Sequence, residues 1–297
     1  MGEVTTTFQD WVDAGKIAAD VREWSKQLVK PGVSYLDLAQ KIEGRILDKE
    51  ALLGFPVNIS GNECAAHDTA LPNDDRVLKD EVVKIDIGVC VNGAIGDTAH
   101  TVDLSGKNGK LVEASEKALA NVMDMIAMGV TLGEIGKVVE DTIVGLGFQP
   151  IRNLSGHGLS PWQVHVSPTV PNFASGDTTP LQKGQIIAIE PFATTGQGKI
   201  KDGGSAIIYE EMQEKPVRDQ FTRKVLRKIQ LLEGMPFATR HLVSDDMQLN
   251  RVLFALRTLK LNGNIQAHAP LVEVDGGLVS QAEHTFHIDD EITVLTK

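Results

Sequence analysis

Two stretches of this chain are versions of one segment: GVSYLDLAQKIEGRIL from Gly32 and GVTLGEIGKVVEDTIV from Gly129. Both open Gly-Val-Ser/Thr. Asp37 then answers Glu134, Leu38 answers Ile135, Ile42 answers Val139, Glu43 answers Glu140 and Ile46 answers Ile143. Further on, LGF at 53–55 matches LGF at 146–148, and SGN at 60–62 matches SGH at 155–157. Two unrelated amphipathic helices would not share both the same start and the same Leu-Gly-Phe end. A repeat of this kind means that one supersecondary unit is used twice. Each half runs helix, strand, polar loop, and a twofold-like arrangement sets the two polar loops around a shared cleft.

The rest of the chain fits around that duplication. Residues 8–29 carry Phe8, Trp11, Val12, Ile17, Val21, Trp24 and Leu28 at near-helical spacing, which predicts a helix broken by Pro31-Gly32. Ser34 stands where an N-cap would, with Asp37 in a loose capping-box position, and a second helix is expected to about Glu50. Residues 55–60 read as a strand. Residues 82–90 and 94–104 read as two strands joined at Asn92-Gly93, a strong hairpin signal, with Gly96 as a candidate bulge. Helices are expected near 109–128 and 131–145, then strands and loops to about Tyr209. Residues 210–272 break the pattern with helical stretches near 216–232 and 245–260, and read as an insertion into a body made of 1–209 and 273–297. Strand-like alternation returns at 276–297.

Composition narrows the function classes. With 42% hydrophobic and 23% charged residues, the chain is neither a disordered tail nor a disulfide scaffold. No stretch approaches the roughly 18 apolar residues of a membrane helix. The opening MGEVTTTFQD has no signal-peptide pattern, and Cys64 and Cys90 lack metal-ligand spacing, so a reducing cytoplasm is expected. A net charge of −11 argues against nucleic acid as the main ligand. The exception is 212–262, with ten Lys/Arg against five acids. It reads first as a solvated helix face and second as a docking surface for something anionic.

The candidate chemistry lies in strands and glycine-flanked loops. Asp86 in VVKIDIGVC and Asp97 in AIGDTAHTV sit on strands that fold back on each other, which brings them roughly opposite. Either aspartate alone is an ordinary strand charge. Two facing inward would repel unless a cation lies between them. His157 in LSGHGL has glycines on both sides, Glu190 ends the apolar run IIAIEP, and Glu283 lies in VSQAEHTFHI. This oxygen-rich set with one imidazole suits two divalent ions such as Mn, Co or Fe, or Zn, and not a cysteine-built structural zinc site. His67 in NECAAHDTA and His165 in PWQVHVSP could each donate a hydrogen bond to a peptide carbonyl, although spacing alone does not single them out. His100, His284 and His287 are read as structural or surface residues. No phosphate loop, Gly-x-Ser-x-Gly elbow or His-Glu-x-x-His motif occurs.

Five stretches together carry a resemblance: FPVNISGNECAAH (55–67), KIDIGVCVNGAIGDTAHTV (84–102), LSGHGLSPWQVH (154–165), IIAIEPFATTGQG (186–198) and QAEHTF (281–286). In this order they resemble the type 2 methionine aminopeptidases, in the short form without an N-terminal extension, over essentially the whole chain. The resemblance implies a duplicated α+β pita-bread fold with a winged-helix-like insertion and a dinuclear metal centre. By position, Asp86, Asp97, His157, Glu190 and Glu283 match the family's metal ligands, Asp97 and Glu283 as bridges. Glu190 would also move protons, His67 and His165 match substrate-contacting histidines, and Phe55 and Val164 match the methionine pocket. The implied reaction is removal of N-terminal methionine from nascent proteins when the second residue is small, by attack of a hydroxide held between the ions. The chain's own Met1-Gly2 would fit that rule. A monomer is expected, with the basic insertion as a candidate ribosome contact.

Two rivals remain open at this level. A Xaa-Pro aminopeptidase or prolidase would share the fold and ligands, but not the insertion or the GNECAAH stretch. A pita-bread protein acting only as a binding module would be free to lose its ligands, and here all five are present with both histidines.

Overall fold

The computed structural model describes residues 5–297, so Met1-Gly2 lies outside the described residues. Helix α1 (Phe8–Ser25) begins at a full capping box, in which Thr7 accepts from the Asp10 N–H and Asp10 reaches back to Thr7. It stops short of the expected residue 29, because the chain turns at Lys26 and sends Val29 into the core. Helix α2 (Tyr35–Leu47) is capped by Ser34, whose hydroxyl accepts from the Asp37 N–H. Its inward stripe of Leu38, Ile42 and Ile46 is wholly excluded from water, which stabilises by about 1.5–3 kcal/mol per side chain. Helices α3 (Gly109–Met125) and α4 (Leu132–Gly145) form the second pair, and α4 buries the matching stripe of Ile135, Val139 and Ile143. Among the described residues no helix is long and apolar enough to cross a membrane.

Strand register shows the duplication more sharply than the sequence does. In the first half, Val82–Val91 pairs with Leu52–Leu53 (Leu53 opposite Val89), with Asn58–Gly61 (Asn58 opposite Asp86), and with Ala94–Asp103. In the second half, the consecutive strands Ile186–Ile189 and Phe192–Thr194 take the same role. They pair with Ser155–Ser160 (Gly158 opposite Ile187) and Gln149–Pro150 (Pro150 opposite Ala193), then with His284–His287 and Val279–Gln281. The second copy is broken at Glu190-Pro191, where proline has no N–H to give to a ladder. With Gly158 (opposite Ile187) taken as the counterpart of Gly61 (opposite Val83), two residues off the SGN/SGH match in the sequence, extending the register across the break makes Glu190 the counterpart of Asp86. The Asn92-Gly93 turn forms as expected, with both residues at positive φ (48° and 89°).

Gly96 is not a bulge. The hairpin ladder runs unbroken through it, opposite Val89. Its lack of a side chain instead admits helix α1, since a Cβ there would stand 2.6 Å from the Ala14 carbonyl oxygen. Gly15 does the same on the helix side, where a Cβ would stand 2.3 Å from the Leu295 oxygen.

The segment after Tyr209 is helical and stranded together. Ile208–Glu211 pairs with Phe237–Ala238 and Ile265–His268, and α5 (Gln220–Gln230), α6 (Thr239–Leu242) and α7 (Leu249–Asn262) accompany this sheet. Helix α5 starts later than expected because Asp219 caps it, accepting from the Thr222 N–H, and α7 ends at Gly263 in the left-handed region. Val225, Ile229, Phe237, Leu256 and Ile265 form a cluster between these elements. A buried ion pair ties the segment to the first half. Arg240 bonds Glu43 of α2, and its Nη1 donates to Thr69 Oγ1 (2.7 Å) and the Ala70 carbonyl (2.9 Å). The side chains of Arg240 and Glu43 are only 4% and 8% exposed.

Candidate metal centre

Five different places in the chain deliver the polar side chains of the cleft. Asp97 lies opposite Gly88 and Asp86 opposite Ala99, so the two aspartates are diagonal neighbours on one face of the hairpin. His157 comes from the matching strand of the second half, opposite Ala188. Glu190 sits at the break before Pro191. Glu283 sits between Val279–Gln281 and His284–His287, its N–H donating to the Ala99 carbonyl (3.2 Å). The halves are bolted together directly behind these groups. The Thr285 hydroxyl accepts from the Asp97 N–H (2.9 Å) and donates to the Asp97 carbonyl (2.8 Å), and Thr98 Oγ1 donates to the Glu283 carbonyl (2.8 Å).

The resulting electrostatics call for a cation. Ligand atoms of Asp97, His157 and Glu283 all lie within 4.8 Å of one another. His157 Nε2 is 3.7 Å from both Asp97 Oδ2 and Glu190 Oε1. Among the described residues no lysine or arginine is paired with any of the four carboxylates. Burial pushes the Asp86 carboxyl up to about 7. Burial, reinforced by the neighbouring carboxylates, also holds Asp97, Glu190 and Glu283 well above the ordinary range. Asp86 Oδ1 and Asp97 Oδ1 are buried with no hydrogen-bond partner. Orphaned oxygens in a set of four carboxylates and one imidazole fit divalent first-row ions, which would satisfy both the valences and the charge. His157 is prepared for the same role. Burial lowers it to about 3, so it is neutral, and an Nδ1–H donated to the Gly158 carbonyl (3.2 Å) leaves the Nε2 lone pair facing the carboxylates.

Above this cluster is a cavity of about 200 Å³ whose walls include Phe55, Val164, Phe192 and Ile208. Phe55 reaches it because Gly88 has no side chain, and a Cβ at Gly88 would lie 2.4 Å from the Phe55 ring. His67 and His165 line the same cavity. His67 adopts φ +62°, a conformation that costs a non-glycine residue energy. The following residues hold it there. Thr69 donates to the Val57 carbonyl (2.6 Å), and Arg240 grips Thr69 and Ala70. Burial lowers His67 to about 4, so it is neutral near pH 7. The His165 ring lies 4.3 Å from that of His157.

Every site residue expected from the sequence therefore lies on one cavity. His100, by contrast, is buried in the hairpin away from that wall, His284 bonds Thr296, and His287 packs on Phe8. Cys64 and Cys90 are buried and unpaired. Four further residues were not anticipated. Gln281 Nε2 faces Asp86 (3.4 Å), Glu190 (3.2 Å) and Glu283 (3.4 Å) together, and its place two residues before Glu283 was the available signal. Asn58, opposite Asp86, points a carbonyl oxygen with no partner into the buried wall. Glu210 and His268 come from the segment after Tyr209, paired with each other at 3.3 Å, and no local pattern marked them.

Comparison with known proteins agrees with this geometry. Residues 11–218 match metallopeptidase family M24. A methionine aminopeptidase of Archaeoglobus fulgidus is 40% identical over 290 residues, covering 96% of this chain and 97% of that protein. The fold recurs in the crystal structure of a methionine aminopeptidase from Thermotoga maritima (TM-score 0.70, 23% identity, all of both chains). It recurs also in a thermophilic Arx1 (TM-score 0.85, 14% identity, 99% of this chain and 91% of that one). At such identities these structures speak to the fold alone, a duplicated α+β pita-bread. The chain belongs to metallopeptidase family M24.

Proposed function

We propose that this protein is a methionine aminopeptidase of type 2, in the short form, releasing N-terminal methionine from nascent polypeptides whose second residue is small. The observation that carries this reading is the convergence of Asp86, Asp97, His157, Glu190 and Glu283 beneath one small cavity with an apolar wall. The 40% identity to a methionine aminopeptidase over nearly the full chain supports it.

Asp86, Asp97, His157, Glu190 and Glu283 would hold two divalent ions (Mn, Co, Fe or Zn). Such ions, when bound, supply Lewis acidity toward the peptide carbonyl and toward water, and an anchor for a free amine. This chain's own residues do the rest. Phe55 and Val164 hold the methionine side chain, and the limited volume excludes a large second residue. Neutral His67 and His165 donate hydrogen bonds to the scissile carbonyl and to the tetrahedral intermediate. Glu190 takes a proton from the attacking water and returns it to the leaving amine.

In the same reading, 1–209 and 273–297 form the catalytic body and 210–272 an inserted winged-helix-like subdomain with its own apolar cluster. Its excess of Lys/Arg supports a contact with the ribosome, and the protein acts as a cytoplasmic monomer. The test is mass-spectrometric cleavage of Met-Ala-Ser beside Met-Lys-Ser, by metal-stripped and reloaded protein and by Glu283→Ala. Metal-dependent loss of methionine from the first peptide only, abolished in the variant, is expected. Cleavage of Xaa-Pro peptides instead would point to a prolidase. Failure to bind metal at all would leave a binding protein.

A further inference from the structure

The cleft does not end at the catalytic cavity. A second, open groove of about 560 Å³ abuts it across His67 and His268, which belong to both and whose rings meet edge-on at 5.6 Å. One side of the groove is helix α7, which presents Leu253, Leu256, Arg257 and Lys260. These positions repeat at three- and four-residue intervals and so share one helix face. At 1.5 Å of rise per residue they cover about 10 Å, the length of roughly three residues of extended chain.

The geometry points to this groove as the exit path of the substrate, a subsite that reads the residues beyond the second position and prefers acidic ones. The inference rests on the aminopeptidase reading and deepens it. With the scissile bond beside His67, a bound polypeptide must leave past His67 and His268. On the cavity side of that boundary the charge is already settled, because Glu210 is held by His268 (3.3 Å) and Gln266 (2.5 Å). In the groove it is not. Arg257 and Lys260 are exposed and in no ion pair among the described residues, and Asp202 is the acid that opposes them. Two unpaired cations along a path about three residues long favour a carboxylate in the third to fifth substrate positions. Leu253, 42% exposed, gives the intervening chain an apolar surface to lie on.

The test compares Met-Ala-Ser-Asp-Glu-Ser with Met-Ala-Ser-Lys-Lys-Ser on the metal-loaded full chain, each referenced to Met-Ala-Ser on the same preparation. Exposed charge pairs of this kind are individually weak, so a roughly three- to tenfold higher kcat/KM for the acidic peptide is expected at low salt. The gain should lie mainly in KM and fade at high ionic strength. The double variant Arg257→Glu/Lys260→Glu should reverse the order. Equal rates for the two peptides in the wild type, or an acidic preference that survives the double variant, overturns the proposal. Failure to cleave even Met-Ala-Ser would instead remove the aminopeptidase reading on which it stands.

Discussion

Removing the Arg240 side-chain charge should be among the most damaging changes away from the cleft. Arg240 and Glu43 face each other almost wholly out of water, and His241 Nε2 also lies 3.2 Å from Glu43. Arg240→Met leaves a buried carboxylate with half its partners gone, a loss of about 3–5 kcal/mol. With an unfolding entropy of about 2.1 cal/mol/K per residue over 297 residues, 4 kcal/mol corresponds to a fall in Tm of about 6 °C, readable by calorimetry. The pair also has a pH signature. Burial raises the Glu43 carboxyl, but the hydrogen bond from His241 and the charges of His241 and Arg240 outweigh it and bring the group down to about 2 from 4.5. A depressed carboxylate contributes stability that is complete above the unfolded value and is lost as pH falls from about 4.5 toward 2, here about 3 kcal/mol. Glu43→Gln should therefore be less stable at neutral pH and flatter across the acid range in urea unfolding. A Tm loss under about 1 °C in Arg240→Met, or wild-type and Glu43→Gln curves that run parallel through the acid range, refutes the reasoning.

Three further outcomes follow from the same structure. Gly15→Ala forces a methyl to 2.3 Å from the Leu295 oxygen and should destabilise by about 1–3 kcal/mol in chemical unfolding, through displacement of helix α1. Gly88→Ala displaces the Phe55 ring from the cavity wall, and steady-state kinetics on Met-Ala-Ser should show KM rising about tenfold with a smaller change in kcat. In metal-stripped protein the raised carboxyls of Asp97, Glu190 and Glu283 make the folded state hold protons that the unfolded state has lost. Its stability then falls as pH rises above the ordinary carboxylate range, so the Tm gap between loaded and stripped protein should widen from acid to neutral pH in paired thermal scans.

Much of the architecture was legible because it depends on local patterns. The Gly-Val-Ser/Thr starts, the stripes of Leu38–Ile42–Ile46 and Ile135–Val139–Ile143, and the Asn92-Gly93 turn each act within one element. Two candidate ligands, Glu190 at the end of IIAIEP and His157 between glycines, were legible from their local setting, whereas Asp86 and Asp97 are each ordinary strand charges and stand out only as a facing pair. Gly96 was misread as a bulge because its neighbour is a helix eighty residues away in sequence, and a close approach leaves no periodic trace. Gln281, Asn58, Glu210 and His268 were passed over for a similar reason: each is an ordinary polar residue until the fold gives it a partner.

The amino-acid order already commits the chain to two copies of one helix–strand unit, because burying a stripe at helical spacing is a requirement each segment carries within itself. It also determined which side chains were available for the cleft. Folding was needed to make Asp86 and Glu190 the same position in two copies, since that identity lives in strand register across a proline break. It alone decided that four carboxylates would share one buried space and that the segment after Tyr209 would wall the cavity and clamp the His67 turn. Those outcomes depend on groups far apart in the chain meeting in a medium that screens charge poorly, and such a meeting is a property of the packed molecule and not of any stretch of it.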